Sequence, residues 1–140
     1  SGDVPNIKST SLTPIINEHI NKNHNATVLT AILDDSTGYG RIIRKNTGQL
    51  LKIVEQKDCN PIERKIKEIN SGIFIFKISH LFEELRKIKS NNAQNEYYLT
   101  DVIELIGKKM PVHAEIIEDS SEVMGINTIN QLSSLENNIQ

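Results

Sequence analysis

The chain has 140 residues, with 16 Lys and Arg against 18 Asp and Glu and a formal net charge of −2 at neutral pH. That is one domain's worth of chain, long enough to bury a real core, and its near-balanced charge implies no general attraction to nucleic acid or to an anionic membrane. The single Cys59 cannot form an intramolecular disulfide and has no local partner that would mark a catalytic thiol, which fits a reducing cytoplasm.

Ser1-Gly2-Asp3-Val4-Pro5 is not a signal peptide, and no apolar run approaches the roughly 20 residues of a membrane span. The chain is therefore expected to be soluble and to have no membrane partner. It lacks an initiating Met, as a processed chain or a piece of a longer one would. After Pro5, the positions Leu12, Ile15, Ile16, His19 and Ile20 fall on one face of a 3.6-residue repeat, with Ser and Thr upstream to cap, and predict a first amphipathic helix. Asn21 and the residues up to Asn25 break it. The apolar, β-branched run from Thr27 to Leu33 then reads as a buried strand, and a helix followed by a buried strand suggests α/β architecture.

In the loop Asp34-Asp35-Ser36-Thr37-Gly38-Tyr39-Gly40-Arg41, two glycines bracket Tyr39, either to let backbone approach a ligand or to supply a turn with positive φ. Arg41-Ile42-Ile43-Arg44 and Leu50-Leu51-Lys52-Ile53-Val54-Glu55, joined across Asn46-Thr47-Gly48, predict a β-hairpin with Glu55 near a strand end. Pro61 opens a short charged helical turn. The second half of the stretch 68–76 is the clearest strand in the chain, with Asn70 at its mouth beside Gly72, able to read a ligand or to close its own turn. Leu81, Phe82, Leu85 and Ile88 mark a helix.

Residues 91–101 are rich in amides, contain neither Pro nor Gly, carry Tyr97 and Tyr98, and lead into the helical pattern of Val102, Ile103 and Ile106. Asn and Gln offer donors and acceptors and Tyr an apolar body with a hydroxyl, so this stretch suits a polyhydroxy or amide-bearing ligand, or else forms a solvated loop capped by Thr100. The run from Val112 to Ile117 alternates as a strand does. Beyond the turn at Gly125, Thr128 and Gln131 form a capping box for a last helix with Leu132, Leu135 and Ile139 on its apolar stripe. His19, His24, His80 and His113 are scattered without ligand spacing, and no zinc site is expected. In open α/β sheets ligands bind where strands end in loops, which directs attention to Asp3, Gly38 to Gly40, Asn70, the amide-rich stretch and Asn127.

Gly2-Asp3-Val4-Pro5, the loop from Asp34 to Ile42, Ile53-Val54-Glu55-Gln56-Lys57-Asp58, Glu68-Ile69-Asn70-Ser71-Gly72-Ile73, residues 91–101 and Glu122-Val123-Met124-Gly125-Ile126-Asn127 recur in this order in one family. The chain resembles the later part of the uridylyltransferase domain of the bacterial bifunctional UDP-N-acetylglucosamine pyrophosphorylase and glucosamine-1-phosphate N-acetyltransferase. A generic nucleotidyltransferase would not share the Asn-Asn-Ala-Gln run before Glu96-Tyr97-Tyr98. The resemblance implies an α/β, Rossmann-like sugar nucleotidyltransferase domain. It further implies a Mg²⁺-dependent transfer in which UTP and N-acetylglucosamine 1-phosphate give UDP-N-acetylglucosamine and pyrophosphate, for peptidoglycan and lipopolysaccharide synthesis in the cytoplasm.

Residue by residue, the resemblance assigns Asp3 and Asn127 to the metal and to catalysis. It assigns Gly40, Glu55 and Asn70 to the N-acetylglucosamine part, and Glu96, Tyr98 and Thr100 to the sugar loop, with Ser1, Gly2, Asp3 and Asn127 also touching substrate. Ser1 stands where the family often has Tyr or Ala. Arg41, Lys57 and Asp58 are left with structural roles. The family's first strand and its glycine-rich loop bearing Arg and Lys have no counterpart here, nor does the hexapeptide-repeat β-helix that carries the acetyltransferase and the trimer contacts. Residues 1–128 are thus expected to be the sugar- and metal-binding part of a partial domain, and residues 129–140 a helix leading toward the β-helix of a homotrimeric parent. Two rivals are a non-catalytic sugar-nucleotide binding module and a Mg²⁺-dependent phosphohydrolase built on Asp34 and Asp35.

Overall fold

The computed structural model describes residues 7–77, 86 and 99–123. Its elements in chain order are α1 (Ser9–Asn21), β1 (Ala26–Ile32), β2 (Arg41–Arg44), β3 (Leu50–Val54), α2 (Pro61–Arg64), β4 (Glu68–Phe76), α3 (Leu99–Lys109) and β5 (His113–Ile116), with 3₁₀ turns at Gln56–Asp58 and Ser120–Glu122. The strands form one sheet in the order β3-β2-β4-β1-β5. Only β1 and β5 run parallel, Thr27 opposite His113; β1 with β4, β2 with β4, and β2 with β3 are antiparallel. β1 is central in composition as well as in position: Val28, Leu29, Thr30 and Ala31 are completely buried, as an apolar, β-branched run covered on both faces requires.

Each face of the sheet has its own core. On one, Val28, Ile42, Leu50 and Ile53 meet Val102, Ile103 and Ile106 of α3, the three positions whose spacing predicted that helix. On the other, Leu29, Ala31, Leu33 and Ile69 meet Ile117 and Val123, with Leu12 and Ile15 of α1 packed against them. The two sheet edges are stitched at one end, where the Leu50 N–H of β3 donates to the Val112 carbonyl just before β5 (2.9 Å).

Three expectations are corrected. Ser and Thr do not cap α1: its N-cap is Lys8, with no side-chain cap of its own. Instead the buried Glu122 reaches across, its Oε1 accepting from the Lys8 N–H (2.7 Å) and its Oε2 from the Ser11 hydroxyl (2.9 Å), so carboxylate charge sits at the positive end of the helix. Ile20, placed on the apolar face by periodicity, is 65% exposed in the last turn of α1. β4 is strand over its whole length rather than its second half, because Glu68, Ile69 and Asn70 pair with Ile32, Ala31 and Thr30. The helical turn at Pro61 forms as expected, closed by a capping box in which Asn60 and Glu63 exchange side-chain and backbone hydrogen bonds. The predicted helix over Leu81, Phe82, Leu85 and Ile88, and the last helix from Thr128, lie outside the described residues.

Candidate functional site

The predicted sugar-contacting positions Gly40, Glu55 and Asn70 come from three separate segments, and the sheet gathers them. Gly40 leads into β2, Glu55 follows the last residue of β3, and Asn70 lies in β4. The hairpin register sets Arg41 opposite Val54, which brings the residues just outside it, Gly40 and Glu55, side by side. A β-carbon on Gly40 would stand 3.4 and 3.5 Å from the two Glu55 carboxylate oxygens. Pairing of Arg41 with Ile69 carries β4 alongside, and the Asn70 N–H donates to the Gly40 carbonyl at 2.8 Å. A buried glycine backbone, an exposed carboxylate and a half-buried amide thus share one strand-end corner.

The bulge in β4 sets the amide. The register slips between Val28 opposite Phe74 and Thr30 opposite Asn70. Within the slip the Ser71 hydroxyl donates to the Leu29 carbonyl (2.6 Å) and accepts from the Ile73 N–H (3.1 Å), while the Gly72 N–H donates to Asn70 Oδ1 (2.9 Å). Gly72 has φ +85°, a conformation that side chains other than Gly rarely adopt. A bulge of this kind re-aims a side chain at the end of a strand. With its oxygen engaged, Asn70 keeps its NH₂ as donor, on the other side of Gly40 from the acceptor Glu55.

Arg41 builds the floor of this corner. Only 2% exposed, its guanidinium donates to the Tyr39 carbonyl, to Gln56 Oε1 (2.6 Å) and to the Arg64 carbonyl (3.3 Å), and the Gly38 N–H donates to the same Gln56 oxygen (3.1 Å). The loop before β2, the turn after β3 and the end of α2 are thereby tied to one side chain. The two glycines around Tyr39 divide the roles between them: Gly38 supplies positive φ (+90°) for the turn, and Gly40 supplies space. Arg41 has the structural role expected of it, whereas its partner Gln56 was given none, since nothing in sequence marks which amide will meet a buried Arg.

Thr100 lies half-buried in the first turn of α3 and not at its N-cap. The helix packs against β3 through the core it shares with Leu50 and Ile53. One turn on, burial first and then the charge of Asp101 push the Glu104 carboxyl above the usual carboxylate range, although a backbone hydrogen bond from Ile53 opposes them. The other predicted site residues, Ser1, Gly2, Asp3, Glu96, Tyr98 and Asn127, lie outside the described residues, and with them both predicted metal ligands. Among the described residues, the group able to hold a metal ion is Glu18, His24 and His113, none of which belongs to the corner at Gly40.

Residues 2–134 match the model of the nucleotidyl transferase family. The chain belongs to that family. Within the nucleotidyl transferases it is similar to the bifunctional protein GlmU of Clostridium botulinum, with 47% identity over 136 residues, covering 97% of this chain and 30% of that protein. The bifunctional protein GlmU of Acetivibrio thermocellus is 50% identical over 133 residues, covering 94% of this chain and 29% of that protein. The chain therefore spans less than a third of the length of these relatives. Its fold is similar to a crystal structure described as a glucose-1-phosphate thymidylyltransferase from Bacillus anthracis, with a TM-score of 0.62 at 21% identity, over 90% of this chain and 48% of that one. The α/β, Rossmann-like reading and the family resemblance drawn from the motifs agree with these similarities. No helix among the described residues is long and apolar enough to cross a membrane.

Proposed function

We propose that this chain is the sugar- and metal-binding part of an N-acetylglucosamine-1-phosphate uridylyltransferase, the reaction that makes UDP-N-acetylglucosamine and pyrophosphate from UTP and N-acetylglucosamine 1-phosphate. The convergence of Gly40, Glu55 and Asn70 on one strand-end corner is the observation that carries this reading. In it, the Glu55 carboxylate accepts hydrogen bonds from sugar hydroxyls, the Asn70 amide donates one, and the bare α-carbon of Gly40 lets the ring come against backbone. Thr100, with Glu96 and Tyr98, would supply the further contacts to the sugar, Tyr98 on its acetyl group. Such a site contributes by holding the sugar phosphate in line with the nucleotide's α-phosphorus, since phosphoryl-group transfer needs positioning and charge stabilisation more than covalent help from the protein. Asp3 and Asn127 would hold Mg²⁺, because a carboxylate and an amide oxygen are the hard donors that this cation takes while keeping several waters. When bound, the ion neutralises phosphate charge. The partners are UTP and the sugar phosphate, and the parent protein is a cytoplasmic homotrimer that also carries the acetyltransferase.

The test replaces the corresponding segment of the Clostridium botulinum relative with this chain and measures Mg²⁺-dependent pyrophosphate release from UTP and N-acetylglucosamine 1-phosphate. Activity should survive the exchange. Glu55→Ala or Asn70→Ala in the hybrid should then raise KM for the sugar phosphate about tenfold or more, as loss of a hydrogen bond to a charged or oriented group does. A folded hybrid with no activity, or one indifferent to both substitutions, would refute the proposal. The chain by itself should show little or no turnover, because it has no match to the glycine-rich triphosphate loop.

A further inference from the structure

At the opposite end of β1 from Asn70, three segments bring imidazole and carboxylate groups together. Glu18 comes from the last turns of α1, His24 from the loop leading into β1, and His113 from the first position of β5, opposite Thr27. One ligand atom from each lies within 4.8 Å of the other two. The rings of His24 and His113 stack at 4.3 Å between centroids and 9° between planes. Glu115 adds a second carboxylate, its Oε1 2.9 Å from His113 Nε2.

We propose that Glu18, His24 and His113, supported by Glu115, form a binding site for a borderline transition-metal cation of the Zn²⁺ class, built from residues other than the Asp3 and Asn127 expected to hold Mg²⁺. Two observations converge on it. His24 Nε2 is buried and has no hydrogen-bond partner, so a ring nitrogen stands without a donor or acceptor in a place where that is costly. Glu18 and Glu115 both bring carboxylates to the imidazole of His113, and a cation there offsets their repulsion.

The donor set selects the ion. Two imidazoles with carboxylate oxygens suit Zn²⁺ and its neighbours, whereas Mg²⁺ prefers an all-oxygen shell rich in water. A tetrahedral Zn²⁺ shell with bonds of about 2.0–2.1 Å separates its ligand atoms by roughly 3.4 Å, so binding draws the 4.8 Å cluster together and tilts the stacked His24 and His113 rings until both ring planes contain the ion. The Glu115 contact to His113 is the carboxylate–histidine pairing that fixes ring orientation at such sites. Of the other groups facing the cluster, Lys22 pairs with Glu18 at 2.8 Å but is 63% exposed and free to swing into water, and His19 Nδ1 is engaged by the Thr27 hydroxyl at 2.7 Å. A bound ion would link α1, the β1 approach and β5.

The experiment titrates the full chain with Zn²⁺ by calorimetry and with Co²⁺ by visible absorption, with Mg²⁺ as competitor. Expected are one site per chain at micromolar or tighter affinity, Co²⁺ bands of a nitrogen and oxygen shell displaced by Zn²⁺ but not by millimolar Mg²⁺, and a Zn²⁺-dependent rise in Tm. His24→Gln and His113→Gln should each weaken binding about a hundredfold and Glu18→Gln at least tenfold, while His19→Gln and Cys59→Ser leave it within about threefold. Absence of Co²⁺ bands in the unmodified chain overturns the proposal whatever the variants do, and so does Zn²⁺ binding that survives in the folded His24→Gln and His113→Gln variants.

Discussion

A methyl group on Gly40 would meet Ile53 Cγ2 at 3.1 Å as well as the Glu55 carboxylate, tighter than ordinary van der Waals contact. Gly40→Ala should therefore press on Ile53 and set a methyl group beside the Glu55 carboxylate, where the sugar ring would come, at small cost to the fold, about 1 kcal/mol, and raise KM for the sugar phosphate in the hybrid enzyme about tenfold; an unchanged KM would show that the ring does not come against this backbone. Arg41 behaves oppositely. Its buried guanidinium holds backbone and the Gln56 amide, so Arg41→Met should lower the urea unfolding free energy by about 2–3 kcal/mol, with binding affected only through the fold. Both residues stand in one short motif, and residue type alone could not tell the site residue from the strut.

On the scale of elements, α1 depends on a cap delivered from the far end of the described chain. Glu122→Ala removes two hydrogen bonds and a negative charge from the helix N-terminus, and should cost about 1–2 kcal/mol. Hydrogen exchange would report it as faster exchange in the first turn of α1, and protection left intact there would reject the assignment. On α3, Glu104 carries the opposite sign. Because its folded pKa is raised, the group contributes stability below the ordinary carboxylate range and loses that contribution as pH rises through the folded value. Glu104→Gln should accordingly stabilise the chain at pH 7 and make no difference near pH 3, which urea melts at the two pH values would check.

Across the molecule, one ion pair joins parts of the sheet that backbone pairing leaves apart. Arg44 at the end of β2 donates to both Glu68 oxygens of β4 (2.8 and 2.6 Å), to the Ala114 carbonyl of β5 (3.0 Å) and to the Gly48 carbonyl of the hairpin turn (2.6 Å). The Thr30 hydroxyl of the central strand donates to the same carboxylate at 2.6 Å. Since the pair is 29% and 12% exposed, solvent screens part of it, and Arg44→Met should cost about 2 kcal/mol, mostly from leaving Glu68 without its partner. A double-mutant cycle with Glu68→Gln should recover a coupling of about 1 kcal/mol or more; simple additivity would mean that the pair does not act as a unit.

Strands β1, β2, β3 and β5 and the buried face of α3 were legible in the sequence because each rests on a local period: burial of alternate or consecutive apolar residues for strands, and Val102, Ile103 and Ile106 for the helix. The positions of Gly40, Glu55 and Asn70 were legible only through the ordered motifs that the chain shares with a known family. Their adjacency was not, because it arises from hairpin register, from the single pairing of Arg41 with Ile69 and from a two-residue register slip at Asn70, none of which is encoded in the spacing along the chain. The same holds for Glu122 on α1 and for Glu18, His24 and His113, which share no ligand spacing in sequence and meet only because β1 and β5 run parallel. Local sequence set which elements form, through side-chain periodicity. Tertiary structure alone decided which of their polar groups face each other, because contact between distant segments is fixed by sheet register and core packing.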